Sequence, residues 1–240
     1  LYFPSSFLSS FASLLIPRIA REFEQKHRRA VAHITETAVG AALQFGVFCA
    51  AVFFVFGEDW GTAFYSSAEA GAYLRILAPL VPLLYLDVVV DSLLKVLDEQ
   101  LNSMKYNFTD SLIRVLLILC FMRFSGMPAY IAILFFSSIF NAMMSVRRLL
   151  KVAQVRIRVV KNAVLPAACA LLSAGMARAA LAPLALSGIT RVLLQAAAAA
   201  VFFLAMRTLF EAAFQKLDSR KAAAPKGDGR LTASGKAVSP

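Results

Sequence analysis

The chain has 240 residues, of which 60% are hydrophobic and only 16% are charged. A soluble domain carries about 45–50% apolar and about 25% charged residues, so this composition excludes an ordinary soluble fold. The formal net charge of +11 is spread over short segments between apolar blocks, which argues against a nucleic-acid-binding surface. Long apolar blocks separated by short polar segments are typical of a membrane protein with several spans.

The apolar blocks predict seven transmembrane helices. The backbone of a spanning segment needs hydrogen-bond partners within the protein, which leaves helices or a closed barrel, and the period-2 alternation of barrel strands is absent. At about 1.5 Å per residue, each block is long enough for a hydrocarbon core of about 30 Å. The predicted fold is therefore an all-α, polytopic membrane helix bundle. The predicted spans are 2–19, 31–56, 72–97, 107–124, 129–149, 162–178 and 190–214.

Composition also predicts how the chain is divided. Residues 1–152 would hold the core transmembrane helices, and 153–214 would hold two additional C-terminal transmembrane helices. The segment 215–240 is rich in small, polar and basic residues, which predicts a disordered tail. The chain opens within an apolar stretch and without an initiator methionine, so we expect an upstream portion to be missing.

The positions of lysine and arginine predict the orientation of the spans. Nineteen of the 25 lie in four segments, and only three lie in the connections between those segments. Cytoplasmic connections of membrane proteins carry an excess of Lys and Arg. The four basic segments, and with them the C-terminus, are therefore predicted to face the cytoplasm. They run from Arg18 to Arg29, from Lys95 to Lys105, from Arg147 to Lys161 and from Lys216 to Lys236.

Three predicted spans carry polar residues at a similar depth. Asp87 interrupts the apolar run of the third span, and at about 1.5 Å per residue it lies roughly 20 Å below the outer face. Arg114 on the next span and Asn141 on the one after reach about the same level, with Ser138 one turn from Asn141. A charge within a span is by default a functional-site candidate with a partner. We therefore predict an ion pair between Asp87 and Arg114, with Asn141 beside it.

These charges also allow structural interpretations. Asp110 precedes Arg114 by four residues and Asp91 precedes Lys95 by four. That order favours an ion pair within one helix. The predicted Asp87–Arg114 pair itself is equally compatible with fastening two helices and with lining a hydrated cavity.

Other polar and helix-breaking residues give weaker signals. Glu36 and His33, one turn into the second span, face either the cytoplasm or a cavity. Pro79 and Pro82 fall in the middle of the third span and predict a helix kink, which suits a moving helix or static packing. The three cysteines lie in apolar blocks without CxxC spacing, so neither a disulfide nor a metal site is predicted. No enzyme motif is found, and neither catalysis nor a cofactor is predicted.

Three stretches of the chain carry a family resemblance. They read SLLIPRIARE, YLRILAPLVPLLYLDVVVDSLLKVLDEQLNSMKYNFTDSLIRVLLI and IFNAMMSVRRLLKV. They resemble the C-terminal half of polysaccharide-biosynthesis flippases of the stage V sporulation protein B-like branch. These proteins belong to the multidrug/oligosaccharidyl-lipid/polysaccharide exporter superfamily, together with lipid II flippases and MATE transporters. The resemblance covers about residues 1–152, whereas 153–240 agrees only in helix number and polarity.

The resemblance implies one lobe of a MATE-like, two-lobed flippase in the bacterial cytoplasmic membrane. Its members move lipid-linked oligosaccharide or peptidoglycan precursors by alternating access between the lobes. The expected partners are a lipid-linked sugar substrate, membrane lipids and the N-terminal lobe of the same protein, with no nucleic acid. Arg114 would act on the headgroup or on the electrostatics of the cavity, and Asp87 would hold Arg114 or exchange a coupling cation.

Two alternatives remain open from the sequence. The first is cation-coupled export of small amphipathic drugs, as in the MATE branch, with Asp87 as the titrating carboxylate. The second is a scaffold in spore-envelope assembly that transports nothing. Dependence of transport on a lipid-linked sugar pool would distinguish a flippase from a drug exporter. A scaffold would be contradicted if substitutions of the charged residues abolish function although the protein still accumulates in the cell.

Overall fold

The structure of the protein is a computed structural model. It describes residues 4–154, 163–181 and 188–223. Within these ranges all regular structure is helical, which confirms the predicted all-α membrane bundle. The helices are α1 (Ser5–Glu24), α2 (Arg28–Tyr65), α3 (Ala68–Leu77), α4 (Val81–Val96), α5 (Gln100–Ala153), α6 (Leu165–Leu181) and α7 (Ile189–Ala223).

Helix α5 consists of two arms that fold back on each other. The break lies at Gly126, whose φ of 57° and ψ of −134° are not helical, and Pro128 follows two residues later. A positive φ is easily adopted only without a Cβ atom, so glycine suits this turn. Hydrogen-bonded contacts of Asn107 with Asn141 and of Asp110 with Ser137 place the arms side by side and antiparallel. The first arm, 100–125, and the second arm, Gly126–Ala153, are the fourth and fifth predicted spans.

Over their described residues, all seven predicted spans coincide with helical segments, and four of these segments are long and apolar enough to cross a membrane. Among the described residues, α1, the first arm of α5 and α6 fall short by that criterion. The first arm carries the charged residues Asp110, Arg114 and Arg123 within its apolar stretch. The four segments are Arg28–Tyr65, Ala68–Val96, Gly126–Ala153 and Ile189–Thr208. The chain is thus a multi-pass membrane protein.

The connection predicted after the second span is mostly helix, which corrects the sequence-based boundary. Helix α2 continues to Tyr65, and only Ser66 and Ser67 separate it from α3. Two glycines one turn apart on α2, Gly57 and Gly61, allow α3 to approach at Gly71. A Cβ atom on Gly61 would lie 2.2 Å from the Gly71 nitrogen. The acidic GEDWG segment, which lies between the second and third predicted spans, is therefore helical and forms the close contact of a helical hairpin.

The two prolines of the third span do interrupt it. Ala78–Leu80 forms a single 3₁₀ turn between α3 and α4, with Pro79 within the turn and Pro82 at the start of α4. Proline removes a backbone donor and clashes with the preceding turn, which breaks the α-helical hydrogen-bond ladder. Pro82 also packs closely on α2, since a Cβ atom on Gly46 would lie 2.8 Å from the Pro82 Cα.

Two hydrophobic clusters hold the bundle together, and both use α2. The first joins α2 to α1, α4 and the end of α5, with Tyr85, Val89 and Leu94 of α4 fully buried. The second joins the later half of α2 to α6 and α7 through small side chains such as Ala170 and Ala199. The two additional C-terminal helices therefore pack directly on the core. The backbone of α7 extends past the predicted end at 214, and 224–240 of the predicted tail lies outside the described residues.

Candidate functional site

Polar side chains from α4 and from both arms of α5 meet along one line inside the bundle, which we call the polar seam. Spacings of three and four residues bring side chains to the same face of a helix. Each of the three helical segments shows this spacing on the face it turns to the other two. The seam comprises Asp87 and Asp91 of α4, Ser103, Asn107, Asp110 and Arg114 of the first arm, and Ser137 and Asn141 of the second arm.

One part of the seam is a chain of hydrogen bonds through two carboxylates and two amides. Asn141 Nδ2 donates to Asp87 Oδ2 at 2.9 Å and lies 3.3 Å from Asn107 Oδ1. Asn107 Nδ2 in turn donates to Asp91 Oδ2 at 2.8 Å, and Ser103 Oγ donates to Asp91 Oδ1 at 2.7 Å. Both carboxylates of α4 are therefore held by neutral donors from α5.

The second part of the seam fixes the guanidinium of Arg114. Arg114 Nη2 donates to Asp110 Oδ2 at 2.6 Å, and Arg114 Nε donates to Ser137 Oγ at 2.9 Å. The Ser137 hydroxyl in turn donates to the other Asp110 oxygen. Asp110 is nearly buried, with 6% of its side chain exposed, whereas 35% of the Arg114 side chain is exposed. The cation is thus clamped along one edge while part of it remains accessible.

The predicted ion pair between Asp87 and Arg114 is wrong. The Arg114 guanidinium pairs with Asp110, four residues earlier on the same arm, and Asp87 is bonded by Asn141. Asp110 and Arg114 lie on the same face of one helix, so they can pair without bridging two helices. Their i,i+4 spacing, with the carboxylate first, favours this pair. The predicted contact between Asp87 and Asn141 does form.

The predicted Asp91–Lys95 pair is also wrong. Asp91 points at the first arm of α5, where Ser103 and Asn107 bond both of its oxygens. Lys95 is exposed and forms no ion pair with any described residue. A lysine near the end of a span reaches interfacial water easily, so it does not need the carboxylate.

The other residues singled out from the sequence lie beside the seam or away from it. Ser138 is buried on the second arm, next to Ser137, and Ser137 makes the polar contact instead. Glu36 is half-buried on α2 and His33 is exposed, and neither side chain hydrogen-bonds to a seam residue. Pro79 and Pro82 shape the entry into α4 and make no contribution to the seam itself.

Two oxygens in the seam have no hydrogen-bond partner among the described residues. They are Asp87 Oδ1 and Asn141 Oδ1, and both atoms are buried. A buried carboxylate oxygen without a donor is unfavourable, so a proton, a cation or water would be accommodated there. The seam also holds three carboxylates against a single guanidinium. Among the described ranges, no group of three or more His, Cys, Asp or Glu side chains is arranged to hold a metal ion.

A partly buried ion pair lies at the end of the seam where α4 turns into α5. Arg148 of the second arm donates to Glu99 from Nε at 3.0 Å and from Nη2 at 2.7 Å. The fork geometry of arginine matches a carboxylate and makes such contacts strong. Asn102 also donates to Glu99. The Asn102 amide and the Arg148 guanidinium hold the pKa of the Glu99 carboxyl below its usual range.

We expect Glu99→Gln to lower the thermal unfolding temperature at neutral pH, because it removes the charged partner of Arg148. The folded-state pKa of Glu99 lies below its unfolded value of about 4.3, so this stabilisation is present above pH 4.3 and is lost as the pH falls through the folded-state pKa. The difference between the wild type and the variant should therefore shrink in acid. Unfolding scans of both proteins in detergent from pH 7 to pH 3 measure it. A difference that stays constant across this range would contradict the role given to Glu99.

The residues Asn107, Ser103 and Ser137 were missed from the sequence. Their signal was present: Ser103, Asn107, Asp110 and Arg114 recur at spacings of four, three and four residues, which is one face of a helix. A polar stripe of this kind in an apolar span marks a buried polar contact.

Comparison with known proteins agrees with this architecture. Residues 2–120 match the MatE family. The matched segment contains α1 to α4 and the part of α5 that carries Asp110 and Arg114. The chain is also similar to Stage V sporulation protein B of Bacillus subtilis (strain 168), with 26% identity over 115 residues, which cover 48% of this chain and 22% of that relative. No solved structure matches the chain.

The matched region thus spans less than a quarter of the length of this relative, and Ser137 and Asn141 lie beyond the family match. The matched helices form the first hydrophobic cluster, apart from the contribution of the end of α5, and two of the three sides of the polar seam. The chain is therefore an all-α, multi-pass membrane protein in which residues 2–120 match the MatE family.

Proposed function

We propose that this chain is part of a membrane flippase that moves a lipid-linked oligosaccharide or peptidoglycan precursor across the bacterial cytoplasmic membrane by alternating access. The observation that carries the proposal is the clamped and partly exposed Arg114 guanidinium within a span. Moving a phosphate headgroup through hydrocarbon is prohibitive, so a carrier needs a hydrated path with fixed cations. The family match and the similarity to Stage V sporulation protein B support a transporter rather than an enzyme.

The geometry at Arg114 suits a headgroup-binding cation. Its Nε and Nη2 atoms are engaged by Ser137 and Asp110, whereas Nη1 makes no hydrogen bond to a described residue. A guanidinium held along one edge keeps its orientation and offers the remaining N–H groups to a phosphate oxygen. Asp110 also lowers the free-energy cost of placing the Arg114 cation in the span before substrate binds.

Large apolar side chains on two helices point away from the bundle, as a second lobe or the surrounding lipid would require. On α1 they include Phe7 and Leu14, and on the first arm they include Phe108 and Leu119, each more than half exposed. In the proposed flippase, the N-terminal lobe of the same protein would cover part of this surface, and the cytoplasmic membrane would cover the rest. The alternating distribution of Lys and Arg supports a cytoplasmic C-terminus.

The test is the removal of the Arg114 charge in the complete protein. We expect Arg114→Gln to lower the rate at which the lipid-linked precursor reaches the outer leaflet by tenfold or more, because one charge-assisted contact contributes about 1.5–3 kcal/mol. Arg75→Gln is the matched control, since Arg75 lies on α3 and pairs with Glu58 away from the seam. Transport that is unchanged in Arg114→Gln at normal protein levels would contradict the proposal.

One observation favours cation coupling as a second candidate function. The unpartnered oxygens of Asp87 and Asn141 lie in the seam that carries an excess of carboxylates. A MATE-type exporter would use Asp87 to exchange a cation during transport. In that case the unmodified protein should export drugs rather than lipid-linked sugars. Asp87→Asn should then abolish the dependence of transport on the proton or sodium gradient. Dependence on the lipid-linked sugar pool would exclude this alternative.

A further inference from the structure

A cavity lies at the end of the bundle where the termini of α1, α2, α4 and α5 meet. It has a volume of about 550 Å³ and opens between the α1–α2 turn, the end of α4 and the end of α5. The floor is apolar and is formed by Phe23, Val31, Leu97 and Val152. Because helices that cross the membrane begin and end here, the cavity lies at the boundary between lipid and water. We propose that it binds one anionic phospholipid, with the phosphate at Lys26 and Arg28 and acyl carbons along the floor.

The charges of the rim fit a phosphate better than a cation. Lys26 and Arg28 line the cavity, are exposed, and form no ion pair with a described residue. The opposing carboxylates of the rim are Glu22 and Glu24, and Glu22 is already bonded to His27 at 2.9 Å. Helix α2 begins at Arg28 without an acidic residue in its first turn, so its positive dipole end adds to the two cations.

The wider surface at this end of the bundle has the same sign. The segments 18–29, 95–105 and 147–151 together hold ten lysines and arginines and four carboxylates. Clusters of this kind are attracted to anionic membrane surfaces by about 1 kcal/mol for each cation near the surface. At the cavity, two of these cations, Lys26 and Arg28, lie beside an apolar recess. Cations beside an apolar recess distinguish the binding of one lipid molecule from a general attraction to an anionic membrane surface. They also favour a phospholipid over an acidic protein, because an acidic protein would leave the apolar floor unfilled.

The test is lipid retention by the purified 240-residue chain. After delipidation, native mass spectrometry during titration with phosphatidylglycerol or phosphatidylcholine should show one phosphatidylglycerol bound preferentially. We expect Lys26→Gln with Arg28→Gln to weaken that binding about tenfold or more. The matched control is Lys105→Gln with Arg147→Gln, which removes two exposed cations from the same end but outside the cavity, and it should bind like the wild type.

A second variant tests the apolar floor without a change of charge. Val152→Phe narrows the cavity from the end of α5 and should also weaken retention of phosphatidylglycerol. Equal binding of the two lipids, or equal weakening in the cavity and control variants, would overturn the proposal in favour of diffuse attraction. Displacement of the bound phosphatidylglycerol by inorganic phosphate alone would overturn the proposal in favour of a simple anion site.

Discussion

Asp110→Asn is expected to destabilise the folded chain, because it leaves the Arg114 guanidinium in a span without its carboxylate. Asp110 accepts hydrogen bonds from Arg114 and from Ser137, and both of these contacts lose the negative charge. Removing one partner of a charged hydrogen bond costs about 1–3 kcal/mol. Since 35% of the Arg114 side chain is exposed, we expect the lower half of that range. The measurement is the free energy of unfolding in mixed micelles.

The control for this prediction is the double variant Asp110→Asn with Arg114→Gln. Removing both charges leaves neither Arg114 nor Asp110 as an ion without its partner, so the double variant should be more stable than Asp110→Asn alone. The double-mutant cycle then gives the coupling energy between the two residues. Additive effects of the two substitutions would show that Asp110 does not stabilise Arg114, and the description of the clamp would fail.

Gly61→Val is expected to cause the larger loss of stability, because it separates α2 from α3. A Cβ atom at this position would lie 2.2 Å from the Gly71 nitrogen and 2.4 Å from the Gly71 Cα. These are backbone atoms, so no side-chain rotation relieves the clash. Overpacking costs about 1–3 kcal/mol and occasionally more, and a backbone clash belongs at the upper end. Thermal unfolding and the yield of folded protein measure the effect.

The matched control for Gly61 is a glycine substitution that meets nothing. A Cβ atom on Gly175 of α6 would have no atom within 4 Å. Gly61→Ala should therefore be clearly destabilising, whereas Gly175→Ala should be neutral or slightly stabilising, since alanine favours a helix by about 0.5–1 kcal/mol over glycine. If the two alanine variants unfold at the same temperature, the close approach of α2 and α3 is not as described.

Hydropathy predicted the fold well because the membrane imposes a length on each span. All seven predicted spans correspond to helical segments, and the 3₁₀ turn occurs at Pro79, as the two prolines of the third span predicted. The boundary after the second span was wrong because GEDWG is acidic and glycine-rich, which resembles a loop. Its glycines instead permit a close helix contact with Gly71, and this depends on a partner that lies elsewhere in the sequence.

The location of the candidate site was predicted; of the two pairings considered for Arg114, the one with Asp87 is wrong and the alternative with Asp110 forms. Counting residues along the spans placed Asp87 and Asn141 at one level, and the structure joins them at 2.9 Å. Depth alone does not give the rotation of a helix about its axis, and that rotation decides which carboxylate meets Arg114. The partner is Asp110, on the same face of the same arm. The role of these residues in transport stays a prediction.

In the proposed flippase, the polar seam borders a hydrated path. Ser111 is exposed one turn from Arg114, and Leu119 is 72% exposed on the apolar side of the same arm. With the native cysteines replaced, single cysteines at these two positions can be labelled with a charged, membrane-impermeant thiol reagent in vesicles of either orientation. We expect Ser111→Cys to react and Leu119→Cys to remain unlabelled. Two inert cysteines, or two that react equally, would contradict it.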